Sequence, residues 1–228
     1  MIAPGGVSPV LILLFVVPLV VGFVAQAWVK RAYRENSEHR SAYGYTGEQV
    51  ARRVLDANGL TGVPVSATPG ELSDHYDPRD RTVHLSESTY ASPTVAAAAI
   101  AAHEVGHAVQ HARGNALLRL RTSMAPATMA ASRFWFAPLM LGFVTGAAGF
   151  IWLAVAIFAV TVAFHLVTLP VEVDASRRAM GQLHQLGLVS DSERSGARRV
   201  LTAAASTYLV AALASVATLV YYVLVARR

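Results

Sequence analysis

From Phe134 to Leu169 the chain runs about 36 residues with one histidine and no Asp, Glu, Lys or Arg. A helix rises 1.5 Å per residue, so one bilayer crossing needs only about 20 such residues. The run is too long for one span, and Gly146-Ala147-Ala148-Gly149 falls near its middle. The expected structure is a tight helical hairpin, two spans joined by almost no loop. Two more apolar runs, Val7 to Val29 and Tyr208 to Ala226, are each long enough for a span. No Lys or Arg precedes the first, whereas Lys30 and Arg31 follow it. That is the reverse of a cleaved signal peptide. The run therefore reads as an uncleaved anchor, with Pro18 tolerated inside it. Composition agrees with four spans. The chain is 54% hydrophobic and 14% charged, against about 25% charged for a soluble domain.

All 19 Lys and Arg residues lie in 30–133, in 170–206 or in the closing pair Arg227-Arg228. The positive-inside rule then puts both polar segments in the cytoplasm; the closing pair would fall outside, against the rule. The net charge of +5 is assigned to this topology. No aromatic-basic patch accompanies it, so no nucleic-acid partner is expected. There is no cysteine, which excludes disulfides, thiolate metal sites and cysteine nucleophiles.

Within 30–133, Thr46-Gly47-Glu48-Gln49 reads as a capping box, starting a helix that stops at Asn58-Gly59. The stretch 63–86 has β-branched pieces broken by Pro, Gly and Asp, which predicts two or three short strands. Ser92-Pro93 is read as opening an alanine-rich helix, with proline in its tolerated first turn, ending near Gly114. The expected fold is a mainly α membrane protein. It has transmembrane helices over 7–29, 134–169 (the hairpin) and 207–226, plus a small α+β domain over 30–133. The segment 170–206 lies on the same side of the membrane as that domain.

The alanine-rich helix carries His103-Glu104-Val105-Gly106-His107. Residues four apart lie on one helix face, one turn apart. Two imidazoles there can converge on one zinc ion, and the glutamate beside the first can take a proton from the attacking water. His111 is eight residues from His103, about 12 Å along a helix, too far for one ion to take all three rings. It is read as a polar supporting residue. A metzincin would place a third histidine six residues after His107 and a glycine three after it. Those positions hold Arg113 and Gln110. A catalytic zinc with two histidines usually adds a carboxylate. Across the hairpin, on the same side as His103, the segment 169–180 offers Glu172 and Asp174.

Three segments, HYDPRDRTVHLS (75–86), AAHEVGHAVQHA (101–112) and TLPVEVDASRRAM (168–180), together resemble the neutral zinc metallopeptidases of bacterial membranes, the YugP-like family. The resemblance covers most of the chain. It implies a zincin-like domain, one catalytic zinc, hydrolysis of peptide bonds and a bacterial inner membrane. The third segment is also similar to the E-x-x-A-D motif of the wider gluzincin group, as in the HtpX-like membrane proteases. That alignment makes Glu172 the third ligand, Ala175 the motif alanine and Ser176 the counterpart of the aspartate. In those relatives the aspartate orients a zinc histidine; a serine can hydrogen-bond but carries no charge. Asp174 lies about 200° around a helix from Glu172 and so faces away from it, remaining the alternative ligand in a different register.

On this reading His103, His107 and Glu172 hold zinc, and Glu104 is general base and then proton donor. Arg177 and Arg178 are candidates for an oxyanion donor or for lipid phosphates. The segment 81–85, RTVHL, is read either as an ordinary strand or as an edge strand that adds a peptide substrate by main-chain pairing. His75 and His84 are expected at the surface and His165 near the membrane interface. Gly142-x-x-x-Gly146 is expected to serve helix packing. The substrate is a peptide or protein, with membrane-associated chains suited to a site at the cytoplasmic membrane surface. Two other functions compete. A membrane di-iron oxygenase would use HEVGH and HAVQH as histidine boxes, but needs further boxes or a second E-x-x-H, which the sequence lacks. A non-catalytic membrane scaffold would retain the motif without the chemistry.

Overall fold

The computed structural model describes residues 16–227. In chain order the elements are α1 (Val17–Ser37), α2 (Gly47–Ala57), β1 (Val65–Thr68), β2 (His75–Asp77), β3 (Thr82–Ser86), α3 (Glu87–Ala91), α4 (Val95–Ala112), α5 (Ala116–Phe134), α6 (Phe136–Thr145), α7 (Ala148–Gln185) and α8 (Arg194–Ala226). The chain divides into two compact units. One comprises Ala27–Arg119 and Pro170–Ser206; the other comprises Leu120–Leu169 with residues 16–26 and 207–227.

In the first unit, local chemistry starts each element. The Thr46 hydroxyl accepts from the Gln49 amide, and the Gln49 side chain accepts from the Thr46 amide, a reciprocal box that opens α2. Gly59, at φ +73°, closes it in the left-handed region that glycine adopts freely. The three strands pair in the order β1-β3-β2, with β1 parallel and β2 antiparallel to β3. In β3, Val83 and Leu85 are buried, while Thr82 before them and His84 between them are only partly covered, the two-residue period of a sheet with one face on a core.

The edge-strand reading of 81–85 is corrected here. β3 is the central strand, with Val65 opposite Val83 on one side and Tyr76 opposite it on the other. The alternation within 82–86 marks a strand with one face on the core but not its place in the sheet; β1 and β2 are the edges. The helix start is corrected too. Thr94, not Ser92-Pro93, caps α4, its hydroxyl accepting from the Ala97 amide. Pro93 lies just before the cap, and its carbonyl accepts from the Ser41 amide.

α4 is the axis of this unit. Ala96, Ala98, Ala99, Ala101, Ala102 and Val105 are buried among α2, β3, the 179–189 stretch and the start of α8. A helix apolar nearly all round belongs in a core, and its small side chains let neighbouring backbones approach closely.

The second unit contains the long apolar helices. Three stretches among the described residues are long and apolar enough to cross a membrane: Ala116–Thr145, Ala148–Gln185 and Arg194–Ala226. The expected first span begins at Val7 and so lies partly outside the described residues. Its described part belongs to α1, which continues to Ser37. The expected hairpin turn is present: Gly146 ends α6 at φ +70° and α7 begins at Ala148. Of the Gly142-x-x-x-Gly146 pair only Gly142 packs closely: a Cβ there would lie 2.5 Å from Ile151 Cγ1 across the hairpin, whereas a Cβ on Gly146 would meet nothing within 4 Å. The span before the turn begins earlier than Phe134, because α5 precedes α6 with only Trp135 between them. The Trp135 ring sits 4.9 Å from Phe158 and 5.7 Å from Tyr222, centroid to centroid.

Candidate metal centre

Gly106 stands where α4 and α7 come closest. A Cβ on it would lie 2.8 Å from the Ala175 carbonyl oxygen and 3.2 Å from the Ala175 Cα. Glycine therefore lets the first turns of α7 beyond Pro170 rest on the histidine motif. Ala175, Ala179 and Leu183, spaced at helical intervals, are buried on the facing side of α7. Glu172 is delivered on that side.

His103 and His107 lie one turn apart, ring centroids 4.9 Å apart and planes at 85°. Glu172 Oε2 is 3.1 Å from His103 Nε2 and 3.5 Å from His107 Nε2. His107 and Glu172 are buried and His103 is nearly so. Ligand atoms of the three residues all lie within 4.8 Å of one another. Ligands about 2.0–2.1 Å from a tetrahedral zinc stand about 3.3 Å apart, so two imidazole nitrogens and a carboxylate oxygen fit that ion in type and spacing.

Glu104 is buried beside this cluster. Burial, which disfavours the charged form, pushes its carboxyl up to about 7; the charges of Glu172 and Asp74 push the same way, while His103 and His75 oppose them. Its electrostatic neighbours thus include His75, at the start of edge strand β2. Asp74, just before β2, accepts from both the amide and the hydroxyl of Ser86 and so ties the strand's beginning to the end of β3.

The other expected residues take distinct places. Ser176 Oγ lies 3.2 Å from His103 Nδ1, the ring nitrogen on the far side from Glu172. Asp174 is outside the cluster. It accepts from Gln110 Nε2 at 2.9 Å, Arg177 Nη2 at 2.5 Å and Arg178 Nε at 2.6 Å. Both arginines are thereby drawn to Asp174, Arg177 remaining largely exposed. His111 shares a 2.8 Å hydrogen bond with the Tyr76 hydroxyl of β2. His84 is held by Ser66 at 2.9 Å and stacks on His75 at 4.7 Å.

One residue escaped sequence reasoning. Gln110 is fully buried, and its Oε1 is 3.0 Å from His107 Nδ1. The available signal was its place three residues after His107, on the same helix face, in an otherwise apolar turn.

Residues 11–227 match the model of a family described as "Putative neutral zinc metallopeptidase". The chain is 41% identical over 216 residues to the "Putative membrane protease YugP" of Bacillus subtilis (strain 168), covering 94% of this chain and 95% of that protein. No solved structure matches.

Proposed function

The chain belongs to the neutral zinc metallopeptidase family, and on that premise we propose that it is a membrane-bound endopeptidase with one catalytic zinc. The observation that carries this reading is the convergence of His103, His107 and Glu172 with the buried Glu104 beside them. His103 and His107 would hold the ion through Nε2 and Glu172 through a carboxylate oxygen. When bound, zinc supplies Lewis-acid polarisation of the scissile carbonyl and lowers the pKa of a water to about 7. Glu104 takes the proton of the attacking water and passes it to the leaving amine. Burial of Glu104 and Glu172 keeps bulk water from competing for these contacts.

The peptide lies along β2. This strand has one unpaired edge, packs against α4 and begins at His75, which is close enough to Glu104 to act on its charge. An extended substrate would add to it by main-chain hydrogen bonds. The site faces the cytoplasm near the membrane surface. Support comes from the Lys and Arg of 30–133 and 170–206, from the place of Glu172 three residues after the apolar run ends at Leu169, and from outward-turned apolar side chains such as Phe23, Val144 and Leu213 on the long helices.

The test is Glu104→Gln in full-length, zinc-loaded protein with a fluorogenic peptide. The expected result is retained zinc and cleavage reduced by about 100-fold or more. Equal cleavage by the variant and the native protein would remove Glu104 from the chemistry.

A further inference from the structure

We propose that Gln110, anchored by Asp174, is a positioning residue that sets the tautomer and orientation of His107. The inference rests on the metallopeptidase reading and adds to it the groups that prepare one ligand. Gln110 is fully buried, so its carboxamide must find partners for both ends inside the protein. One end is 2.9 Å from the carbonyl oxygen of Val171 and 2.9 Å from Asp174 Oδ2. A carbonyl oxygen can only accept, so the atom facing it is the amide nitrogen. The other end, 3.0 Å from His107 Nδ1, is then the oxygen. An amide oxygen cannot donate, so Nδ1 must carry the ring proton. In the neutral ring the lone pair is then on Nε2, the nitrogen 3.5 Å from Glu172 Oε2. The neutral ring is thus oriented to offer Nε2, and not Nδ1, as its ligand atom.

The same carboxamide couples two elements. Val171 directly precedes Glu172 in α7, and Gln110 lies one turn beyond His107 in α4. One side chain therefore fixes the ring of one ligand against the backbone that carries another. Asp174 extends the contact to Arg177 and Arg178, which both bond it and hold its carboxylate in place. His103 is treated differently. Its Nδ1 faces the Ser176 hydroxyl, which can donate or accept and imposes no tautomer. The two histidines are thus held with unequal stringency, and loss of Gln110 should cost more than loss of the Ser176 hydroxyl.

The experiment uses full-length protein in detergent. Zinc affinity is measured by competition with a chromophoric chelator, alongside the visible spectrum of the cobalt-substituted form. Gln110→Leu keeps the volume and removes the acceptor. It is expected to weaken zinc about 10- to 100-fold and to alter the cobalt bands. Gln110→Glu, an isosteric side chain that keeps an oxygen acceptor for Nδ1, should recover part of the affinity. Asp174→Ala should weaken zinc by a smaller factor. A folded Gln110→Leu protein with native zinc affinity and cobalt spectrum would overturn the inference alone. If Gln110→Leu does not fold, Asp174→Ala decides in the same way, native affinity overturning the inference and a loss supporting it. Native protein that takes up no zinc would overturn the metallopeptidase reading and this inference with it.

Discussion

Gly106 of α4 lies against the backbone of Ala175 in α7, so close that an added Cβ would be 2.8 Å from the Ala175 carbonyl oxygen. The contact sets how near Glu172 comes to His103 and His107. Gly106→Ala should push the helices apart at the motif. The expected cost is about 1–3 kcal/mol of stability, with a drop in zinc affinity. Thermal melting with and without zinc checks it: the native protein should gain more from zinc than the variant does. An equal gain would show that the helix separation is not critical to the site.

Glu104→Gln should stabilise the metal-free protein at neutral and higher pH. The folded chain holds the Glu104 proton up to about pH 7, whereas an ordinary glutamate releases it near 4.5. Between those values the folded state binds more protons than the unfolded one, so stability falls as pH rises. Above pH 7 the burial cost of the carboxylate is present in full, about 3 kcal/mol as an order of magnitude. Below 4.5 it is absent. Melting both proteins in chelator between pH 4.5 and 8 should show the variant's advantage growing with pH. A constant difference would contradict the burial account.

Much of this centre was legible in the sequence, because its signals are local. HEVGH announces a metal face by helical spacing alone, and the hairpin follows from run length and Gly146. Glu172 could be brought near only through topology, since about 65 residues separate it from His107. What stayed hidden depends on tertiary packing. The strand order β1-β3-β2 places β3 between two strands that precede it in the chain, which its own alternation does not specify. Ser92-Pro93 is a local start signal two residues ahead of the true cap, and only the hydrogen bond from the Ala97 amide to the Thr94 hydroxyl shows which residue caps α4. Gln110 and the turning of both arginines toward Asp174 become visible only when α4 and α7 are side by side.

The Ser176 hydroxyl lies 3.2 Å from His103 Nδ1. Ser176→Asp should tighten zinc binding, because a carboxylate makes the ring a more basic ligand. Ser176→Ala should weaken it by less than Gln110→Leu does. Chelator competition across the three variants checks the order. A Ser176→Ala loss equal to that of Gln110→Leu would contradict the unequal holding of the two histidines.

Main-chain pairing of a substrate with β2 predicts an alternating dependence on backbone amides. Along an extended peptide, every second N–H points to the same side. Reporter peptides N-methylated at single positions should lose about tenfold in kcat/KM at one alternating set and little at the other. A uniform response would exclude the edge strand as the docking element.

On the proposed reading His103, His107 and Glu172 together hold one zinc ion per chain. The deciding measurement is zinc content after purification and dialysis, for the native protein and for His107→Ala and Glu172→Gln. The expected result is about one zinc per native chain and far less in both variants. A native protein without zinc, or a Glu172→Gln variant that keeps its zinc with native affinity, would contradict it.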